Sequence, residues 1–151
     1  NELGGVEFLA GDRPVFLNNT VAYNGDFGIH GGLPTIVNSI IWGHVDDLDA
    51  PVGQVAYSDV GDPEYASFNN NLSEDPLFVD IATLDFHLQH ISPLVDAGNS
   101  DYPDLPLTDF EGDPRIWNVG IDIGADERHN PIFWRYMPIL FRFDGPPPHP
   151  G

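Results

Sequence analysis

The strongest constraint on the fold is a repeat of about 20 residues that returns similar side chains to similar positions. The segments NTVAYN and NSIIWG align at an offset of 19 residues. This alignment pairs amide, hydroxyl, β-branched and aromatic side chains: Asn19 with Asn38, Thr20 with Ser39, Val21 with Ile40, and Tyr23 with Trp42. A further 19 residues reaches Tyr57 and Ser58. Such a period is typical of a solenoid, in which each coil buries its apolar face against its neighbours.

The repeating segments read as strands rather than helices. The chain contains 16 Gly and 15 Pro in 151 residues, and no window of about 12 residues keeps the apolar period of a helix. Runs rich in β-branched and aromatic residues recur instead, at 14–24, 34–44, 53–62, 75–80 and 84–89. The sequence therefore predicts an all-β protein made of short strands and turns.

Asparagine residues flank these strands at the places where the chain must turn. They are Asn18, Asn19, Asn24 and Asn38. Asn tolerates the left-handed backbone conformation, and its side chain bonds the local backbone. We therefore predict that these residues form corners of the solenoid.

Seven short motifs follow one another along residues 15–127: NNTVAYN, GGLPTIVNSIIWGH, VAYSDVGD, DPLFVD, LDFHLQHISPLVDAG, TDFEGDPR and GIDIGADE. In this order they resemble the last coils and the terminal cap of secreted bacterial right-handed parallel β-helix proteins with a choice-of-anchor type C-terminal region. The resemblance implies a short right-handed parallel β-helix with a C-terminal cap, located outside the cell or on its surface. Within the cap, the GDPR setting of Arg115 indicates a pairing role.

The composition changes after GADE, so we divide the chain into coils and cap (1–127) and an apolar strand with a Pro-rich tail (128–151). Residues 128–143 carry three of the five Arg and a dense apolar set. The predicted contact residues are Ile132, Phe133, Trp134, Tyr136, Met137, Ile139, Leu140, Phe141 and Phe143. This extended strand can lie on its own β-helix, add to a neighbouring subunit, or serve as an anchoring signal. It is too short and too broken by Pro138 and Arg to be a transmembrane segment.

The first coil shows no capping motif. It begins within GGVEFLAGDRPVFL, so its strand N–H and C=O groups face an open edge. Either preceding residues or another chain covers this edge. If each copy contacted the next head to tail and the copies did not close into a ring, the contact would propagate into a filament.

Charge excludes some partners. The chain has 24 Asp and Glu against five Arg and no Lys, for a formal net charge of −19. Nucleic acid is therefore not an expected partner, because its recognition needs basic surfaces. Cysteine is absent, which rules out disulfides, thiolate metal sites and a Cys nucleophile.

No catalytic motif stands out in the sequence. His30, His44 and His87 fall at separate corners, without the spacing of a zinc site or a catalytic triad. Asp46, Asp47 and Asp49 read as a solvated acidic turn, and Asp59 and Asp62 are interpreted in the same way. We therefore predict a protein without enzymatic activity.

Calcium is the one cofactor for which the sequence offers candidate ligands. In DFEGD, Asp109, Glu111 and Asp113 alternate around Gly112, and such carboxylates can converge on Ca²⁺ in a tight loop. Asp122 and Asp126 can approach the same region. The alternative is a capping turn in which Asp side chains bond backbone amides.

These observations predict an extracellular or cell-surface structural protein that assembles with copies of itself. The alternative is a carbohydrate-binding module, or the C-terminal part of a polysaccharide-degrading β-helix enzyme, with a glycan as the partner. Trp42, Tyr57 and Tyr65 discriminate between the two: exposed on one face they favour sugar binding, and buried they favour the structural role.

Overall fold

The computed structural model describes residues 4–117 and 119–128. Within these residues the chain forms eleven short strands and two 3-10 helices. The strands are β1 (Val6–Glu7), β2 (Val15–Leu17), β3 (Thr20–Ala22), β4 (Phe27–His30), β5 (Thr35–Val37), β6 (Ile40–Trp42), β7 (Asp46–Leu48), β8 (Val55–Ala56), β9 (Asp59–Val60), β10 (Phe78–Asp80) and β11 (Asp85–Leu88). The 3-10 helices are Val52–Gln54 and Pro63–Tyr65.

The first nine strands form three parallel sheets. Their strand orders are β1-β4-β7, β2-β5-β8 and β3-β6-β9. Each sheet takes one strand from each of three successive coils: coil 1 holds β1 to β3, coil 2 holds β4 to β6, and coil 3 holds β7 to β9. All six strand pairings are parallel. The chain is therefore a short parallel β-helix, which confirms the fold class predicted from the repeat.

In the second and third sheets, the spacing between coils 1 and 2 is one residue longer than the spacing between coils 2 and 3. Ile40 pairs with Asp59, 19 residues further on, as the sequence alignment predicts. Thr20 pairs with Ile40, 20 residues further on, so the predicted offset of 19 between coils 1 and 2 is one residue short. The reason is the turn after the third strand of each coil. Residues 23–26 join β3 to β4, whereas only residues 43–45 join β6 to β7.

Left-handed residues form the corner between the second and third strand of every coil. Asn18, Asn38 and Tyr57 have φ angles of 54°, 51° and 48°. The first two confirm the predicted corner role of asparagine, which pays a smaller steric penalty in this conformation than most residues do. The side chain of Asn19 bonds the local backbone as predicted, because its Nδ2 donates to the Leu17 carbonyl oxygen at 3.0 Å, but neither Asn19 nor Asn24 has the predicted positive φ. The residue immediately before each of them supplies the left-handed turn instead.

A ladder of hydrogen bonds joins these corners along the helix axis. The Asn19 N–H donates to Ser39 Oγ, the Ser39 N–H to Ser58 Oγ, and the Ser58 N–H to Asn71 Oδ1, each at 3.1 Å. Each serine hydroxyl also donates to the carbonyl two residues earlier in its own coil, at 2.9 Å. The ladder satisfies fully buried polar groups, each of which would cost about 1–3 kcal/mol if left unpaired. It also fixes the register of one coil on the next.

Branched aliphatic side chains fill the space between the three sheets. The core cluster contains Ile29, Ile36, Ile41, Leu48, Val55, Val60 and Tyr65. In coil 1 the positions paired with the first three of these hold Val6, Phe16 and Val21, and these three side chains are only half-buried. Among the described residues, the apolar interior is thus closed at coil 3 and open at coil 1.

Residues 62–73 close the end of coil 3 with polar side chains. Asp62 Oδ2 accepts the Leu48 N–H at 2.8 Å, and the buried Tyr65 hydroxyl lies 2.8 Å from the Leu48 carbonyl oxygen. Asn71 accepts the Ser58 N–H and donates to the Val55 carbonyl oxygen at 3.1 Å. These contacts occupy the strand-edge groups that a further coil would otherwise pair.

Residues 92–117 and 119–128, the closing segment, lie along the outer side of the third sheet. Leu94 and Ile123 pack with Ile40 in a second apolar cluster, together with the β10–β11 hairpin. The Ala125 N–H donates to Thr20 Oγ1 at 3.0 Å, so the segment reaches coil 1. The C-terminal cap predicted from the sequence therefore has two parts, one at the end of coil 3 and one along the flank. No helix in the described ranges has the length and apolar character needed to cross a membrane.

Asn38 connects the corner ladder to the closing segment. Its Oδ1 accepts the Asn99 N–H at 2.8 Å, and its Nδ2 donates to the Asn99 carbonyl oxygen at 3.2 Å. Its own carbonyl oxygen accepts the Gly124 N–H. Asn18 occupies the equivalent corner of coil 1, but its side-chain atoms have no partner among the described residues.

We predict that Asn38→Gly lowers the free energy of unfolding by about 1–3 kcal/mol more than Asn18→Gly does. Glycine keeps the left-handed corner in both variants, so only the side-chain hydrogen bonds of Asn38 separate them. Urea denaturation of the two variants measures the difference. Equal losses would show that the side-chain bonds to Asn99 contribute nothing to stability.

Candidate functional site

A cleft lies between the β10–β11 hairpin and the closing segment. The hairpin is antiparallel, with Phe78 opposite Leu88. The cleft has a volume of about 440 Å³ and is lined by Thr20, Thr83, Leu84, Asp85, Phe86, His87, Phe110, Ala125 and Asp126. Its walls come from coil 1, the hairpin and the closing segment, so it exists only when all three are folded together.

His87 occupies the centre of this cleft. Residues 85 and 87 share one face of β11, because side chains alternate along a strand, and His87 Nδ1 lies 2.5 Å from Asp85 Oδ1. The other ring nitrogen, Nε2, lies 3.4 Å from Glu111 Oε2 and 3.9 Å from Asp126 Oδ1. The Phe110 ring packs against the imidazole at a centroid distance of 5.8 Å. Three carboxylates thus surround one histidine.

A tight loop presents Glu111 to the histidine. Asp109 Oδ1 accepts the N–H groups of Glu111, Gly112 and Asp113 at 2.9–3.0 Å. Its Oδ2 accepts the Glu127 N–H at 3.1 Å. Gly112 has a φ of +97°, a conformation that other residues adopt only under strain. Asp109 therefore anchors the loop, and Glu111 is the residue whose carboxylate reaches His87.

Arg115 holds the backbone of the closing segment behind the cleft. It is buried, and its guanidinium donates to the carbonyl oxygens of Gly124, Ala125 and Asp126 at 2.7–3.3 Å. These bonds fit the predicted pairing role of Arg115 in the cap. They also fix the position from which Asp126 enters the cleft.

The environment shifts several acid pKa values in this region. The hydrogen bond with His87 lowers the pKa of Asp85, and the same bond raises the pKa of His87. Burial raises the pKa of Asp126 and of Asp122. Burial also raises the pKa of Glu127 to about 8, because the desolvated carboxylate is disfavoured.

The outer edge of coil 1, which no strand among the described residues pairs, is a second candidate site. Strands β1, β2 and β3 each lie at the edge of their sheet. In β2, the Pro14 carbonyl and the Asn18 N–H bond to the backbone of coil 2. Backbone N–H groups of successive residues in a strand point to opposite sides. The N–H groups of Val15 and Leu17 therefore point away from coil 2, towards the outer edge of coil 1. This edge is a template for another strand.

Comparisons with protein families, with curated proteins and with solved structures find no match to this chain. The resemblance to choice-of-anchor β-helix proteins therefore stays a prediction. The geometry of the cleft and of the coil 1 edge is the basis for any functional assignment.

The three residues predicted for Ca²⁺ do not gather around a common point. Both carboxylate oxygens of Asp109 bond backbone amides, which is the capping turn that the sequence left as the alternative. Asp113 is exposed. Of the three, only Glu111 lies close to His87 and Asp126.

The other predicted site residues fall into two groups. The tail residues Ile132, Phe133, Trp134, Tyr136, Met137, Ile139, Leu140, Phe141 and Phe143 lie outside the described residues. Of the aromatic residues that discriminate between functions, Tyr65 is buried in the core, and Trp42 packs against the second apolar cluster. Tyr57 is half-buried. These three side chains do not form an exposed platform.

Sequence reasoning missed His87 because its partners are distant in the chain. Glu111 lies 24 residues after His87, and Asp126 lies 15 residues after Glu111. No local spacing therefore reveals the cluster. The available signal was the Asp-x-His pattern of residues 85–87 within a strand, which places both side chains on one face.

The interpretation of Asp47 as a solvated turn residue is wrong. Residues Asp46–Leu48 form β7, and Asp47 is 5 % exposed. Its Oδ1 lies 2.6 Å from Nδ1 of the buried His44 ring, whose Nε2 contacts Asn24 Nδ2 at 3.3 Å. This group is a buried polar stack between coils, away from the cleft residues.

Asp59 is also not a solvated turn residue. It lies in β9 and is fully buried. Its Oδ1 accepts the Glu74 N–H at 3.0 Å, and its Oδ2 has no partner among the described residues. Burial raises its pKa to about 7, and the nearby Glu74, Asp47 and Asp75 act in the same direction.

The raised pKa of Asp59 predicts a pH dependence of stability. From about pH 4 to pH 7 the folded state holds a proton that the unfolded state releases, so this group's contribution to stability falls as the pH rises. We expect Asp59→Asn to raise the free energy of unfolding by about 1–3 kcal/mol at pH 8 and to change it little at pH 4. Urea denaturation at both pH values measures this.

Asp46→Asn is the matched control, because it removes the same formal charge from an exposed position in β7. If the free energy of unfolding at pH 8 rose equally in both variants, the effect would come from net charge rather than from the buried carboxyl of Asp59.

Proposed function

We propose that this chain is a structural β-helix subunit of an extracellular or cell-surface assembly, without enzymatic activity. Its first coil accepts a strand from another copy. The observation that carries the proposal is the difference between the two ends of the helix. At coil 3, the side chains of residues 62–73 occupy the strand edge, whereas at coil 1 three edge strands and a half-buried apolar interior remain.

The apolar interior of coil 1 supports an accepting role. Val6, Phe8, Phe16 and Val21 pack against the core cluster but stay half-buried. Phe8 and Phe16 meet edge to face at 5.7 Å. Covering apolar surface of this kind stabilises an interface by about 25 cal/mol per Å². An added strand would gain this burial together with backbone hydrogen bonds.

The segment 128–143 is the proposed donor. It has the length and apolar content of one or two strands, and it carries three Arg. Residues 1–127 have two Arg against 23 Asp and Glu, so the donor and the body have opposite charge. The described chain approaches coil 1 three residues before Arg128, where Ala125 bonds Thr20. Each extended residue adds at most about 3.6 Å, so the donor starts near coil 1 of its own chain, within reach of that edge or of the edge of a copy stacked on it.

The positions of the aromatic residues also support the structural role. The Tyr65 hydroxyl is used to close coil 3, and Trp42 packs beneath the hairpin and closing segment. The Tyr65 ring is therefore not exposed for stacking on a sugar, and the Trp42 ring is half-buried.

A carbohydrate-binding module, or the end of a polysaccharide-degrading enzyme, is the second candidate function. The observation in its favour is the cleft, where Phe110 is 65 % exposed beside Asp85, Glu111 and Asp126. An aromatic face next to carboxylates that can accept hydroxyl hydrogen bonds suits a neutral or basic sugar.

Two variants of the full chain test self-assembly. Val15→Pro removes an N–H that faces the open edge without removing a bond to coil 2, and Val15→Thr keeps that N–H as the matched control. We expect filaments or oligomers from the wild type and from Val15→Thr, and monomers from Val15→Pro. Sedimentation velocity and negative-stain electron microscopy measure the outcome.

A mixing experiment separates the donor from the acceptor. Trp134→Glu places a charge in the donor segment and leaves the coil 1 edge intact, so we expect this variant to be monomeric on its own. Mixed with Val15→Pro it should form dimers that grow no further, because each pair contains one intact donor and one intact acceptor. A wild-type chain that is monomeric at all concentrations would refute self-assembly and favour the carbohydrate-binding alternative.

A further inference from the structure

The cluster at His87 has the geometry of a metal site. His87 Nε2, Glu111 Oε2 and Asp126 Oδ1 offer three ligand atoms within 4.8 Å of one another. Bond lengths of about 2.0–2.1 Å in a tetrahedral zinc site place ligand atoms roughly 3.3 Å apart. The distances from Nε2 to the two carboxylate oxygens are 3.4 and 3.9 Å. Small side-chain rotations would bring all three atoms to bonding distance of one ion.

Asp126 provides an independent indication of a ligand. Its side chain is only 10 % exposed, and no hydrogen-bond donor among the described residues reaches its carboxylate. A buried carboxylate without hydrogen bonds is costly, and a bound cation is one of the few ways to offset that cost. The Asp126 carboxylate is nearly buried and faces His87 Nε2, as a metal ligand would.

Asp85 orients the His87 ring so that Nε2 faces the two other carboxylates. Its Oδ1 lies 2.5 Å from His87 Nδ1, so a proton on Nδ1 would be held there and Nε2 would be available to an ion between Glu111 and Asp126. Metal-binding histidines almost always carry a carboxylate or carbonyl on their second nitrogen in this way. Asp85 is therefore a positioning residue rather than a ligand.

We propose that His87, Glu111 and Asp126 bind a divalent transition-metal ion, with Zn²⁺ as the reference metal. One ligand comes from β11 and two come from the closing segment, at the 109–113 loop and at Asp126, so the ion joins the hairpin to the closing segment. The remaining coordination position faces the cleft of about 440 Å³ and is open to water or an external ligand.

The ligand set distinguishes this site from a calcium site. Ca²⁺ takes six to eight oxygen ligands at about 2.3–2.6 Å, whereas this site supplies one nitrogen and two carboxylates. An imidazole nitrogen with few oxygen ligands favours Zn²⁺ and neighbouring first-row metals. Ca²⁺ and Mg²⁺ are therefore expected to compete poorly.

The test is calorimetric titration of the full, untagged chain with ZnCl₂. We expect about one Zn²⁺ per chain and a melting temperature that rises with free Zn²⁺. His87→Gln and Glu111→Gln should weaken binding at least about tenfold, and Asp85→Asn should weaken it about tenfold with all three ligands retained. An excess of CaCl₂ should leave Zn²⁺ bound.

Two controls separate this site from general binding to an acidic protein. His30→Gln alters a half-exposed histidine 3.7 Å from Asp49, and Glu64→Gln alters an exposed carboxylate. Neither should change Zn²⁺ affinity by more than about twofold. Absence of a saturable site, or equal losses in the control and ligand variants, would overturn the proposal and leave His87 as the centre of an ion-pair cluster.

Discussion

The corner between the second and third strand of each coil is the constraint on which the rest of the molecule depends. A left-handed residue turns the chain, and the next N–H donates to a side chain of the coil below. This bond can form only when successive coils are stacked in one register. A slip by one residue would turn every interior Ile and Val outward. The inward positions Phe16 and Val21 of coil 1 are five positions apart in the sequence, and the same spacing recurs in coils 2 and 3.

The same corner organises the outer side of the helix. Asn38 turns coil 2 and also bonds Asn99 and Gly124, so the closing segment is attached to the position that sets the register. From there the segment continues to coil 1 and carries Asp126 towards His87. The cleft therefore forms only when the coils are stacked and the closing segment is attached to them. Its residues are distant in sequence but are fixed by contacts with a regular scaffold.

Much of the fold could be predicted because solenoid repeats are local. The hydroxyl and asparagine positions indicated the coils, and Asn18 and Asn38 indicated corners. The offset between coils 1 and 2 was misjudged because one extra turn residue is invisible in a pattern of similar side chains. The buried Asp47 and Asp59 were misread because burial of a carboxylate depends on neighbouring coils. The cluster at His87 could not be predicted, since its members meet only through tertiary packing.

We propose that the edge of coil 1 is free in the single chain and occupied in the assembly. Amide hydrogen exchange followed by NMR at low and high protein concentration measures this. We expect the Val15 and Leu17 amides to exchange fast in dilute protein and slowly in concentrated protein, while amides bonded between coils 1 and 2, such as Asn18, stay protected throughout. Complete protection of Val15 and Leu17 already in dilute protein would refute the proposal, because the chain would then cover its own edge.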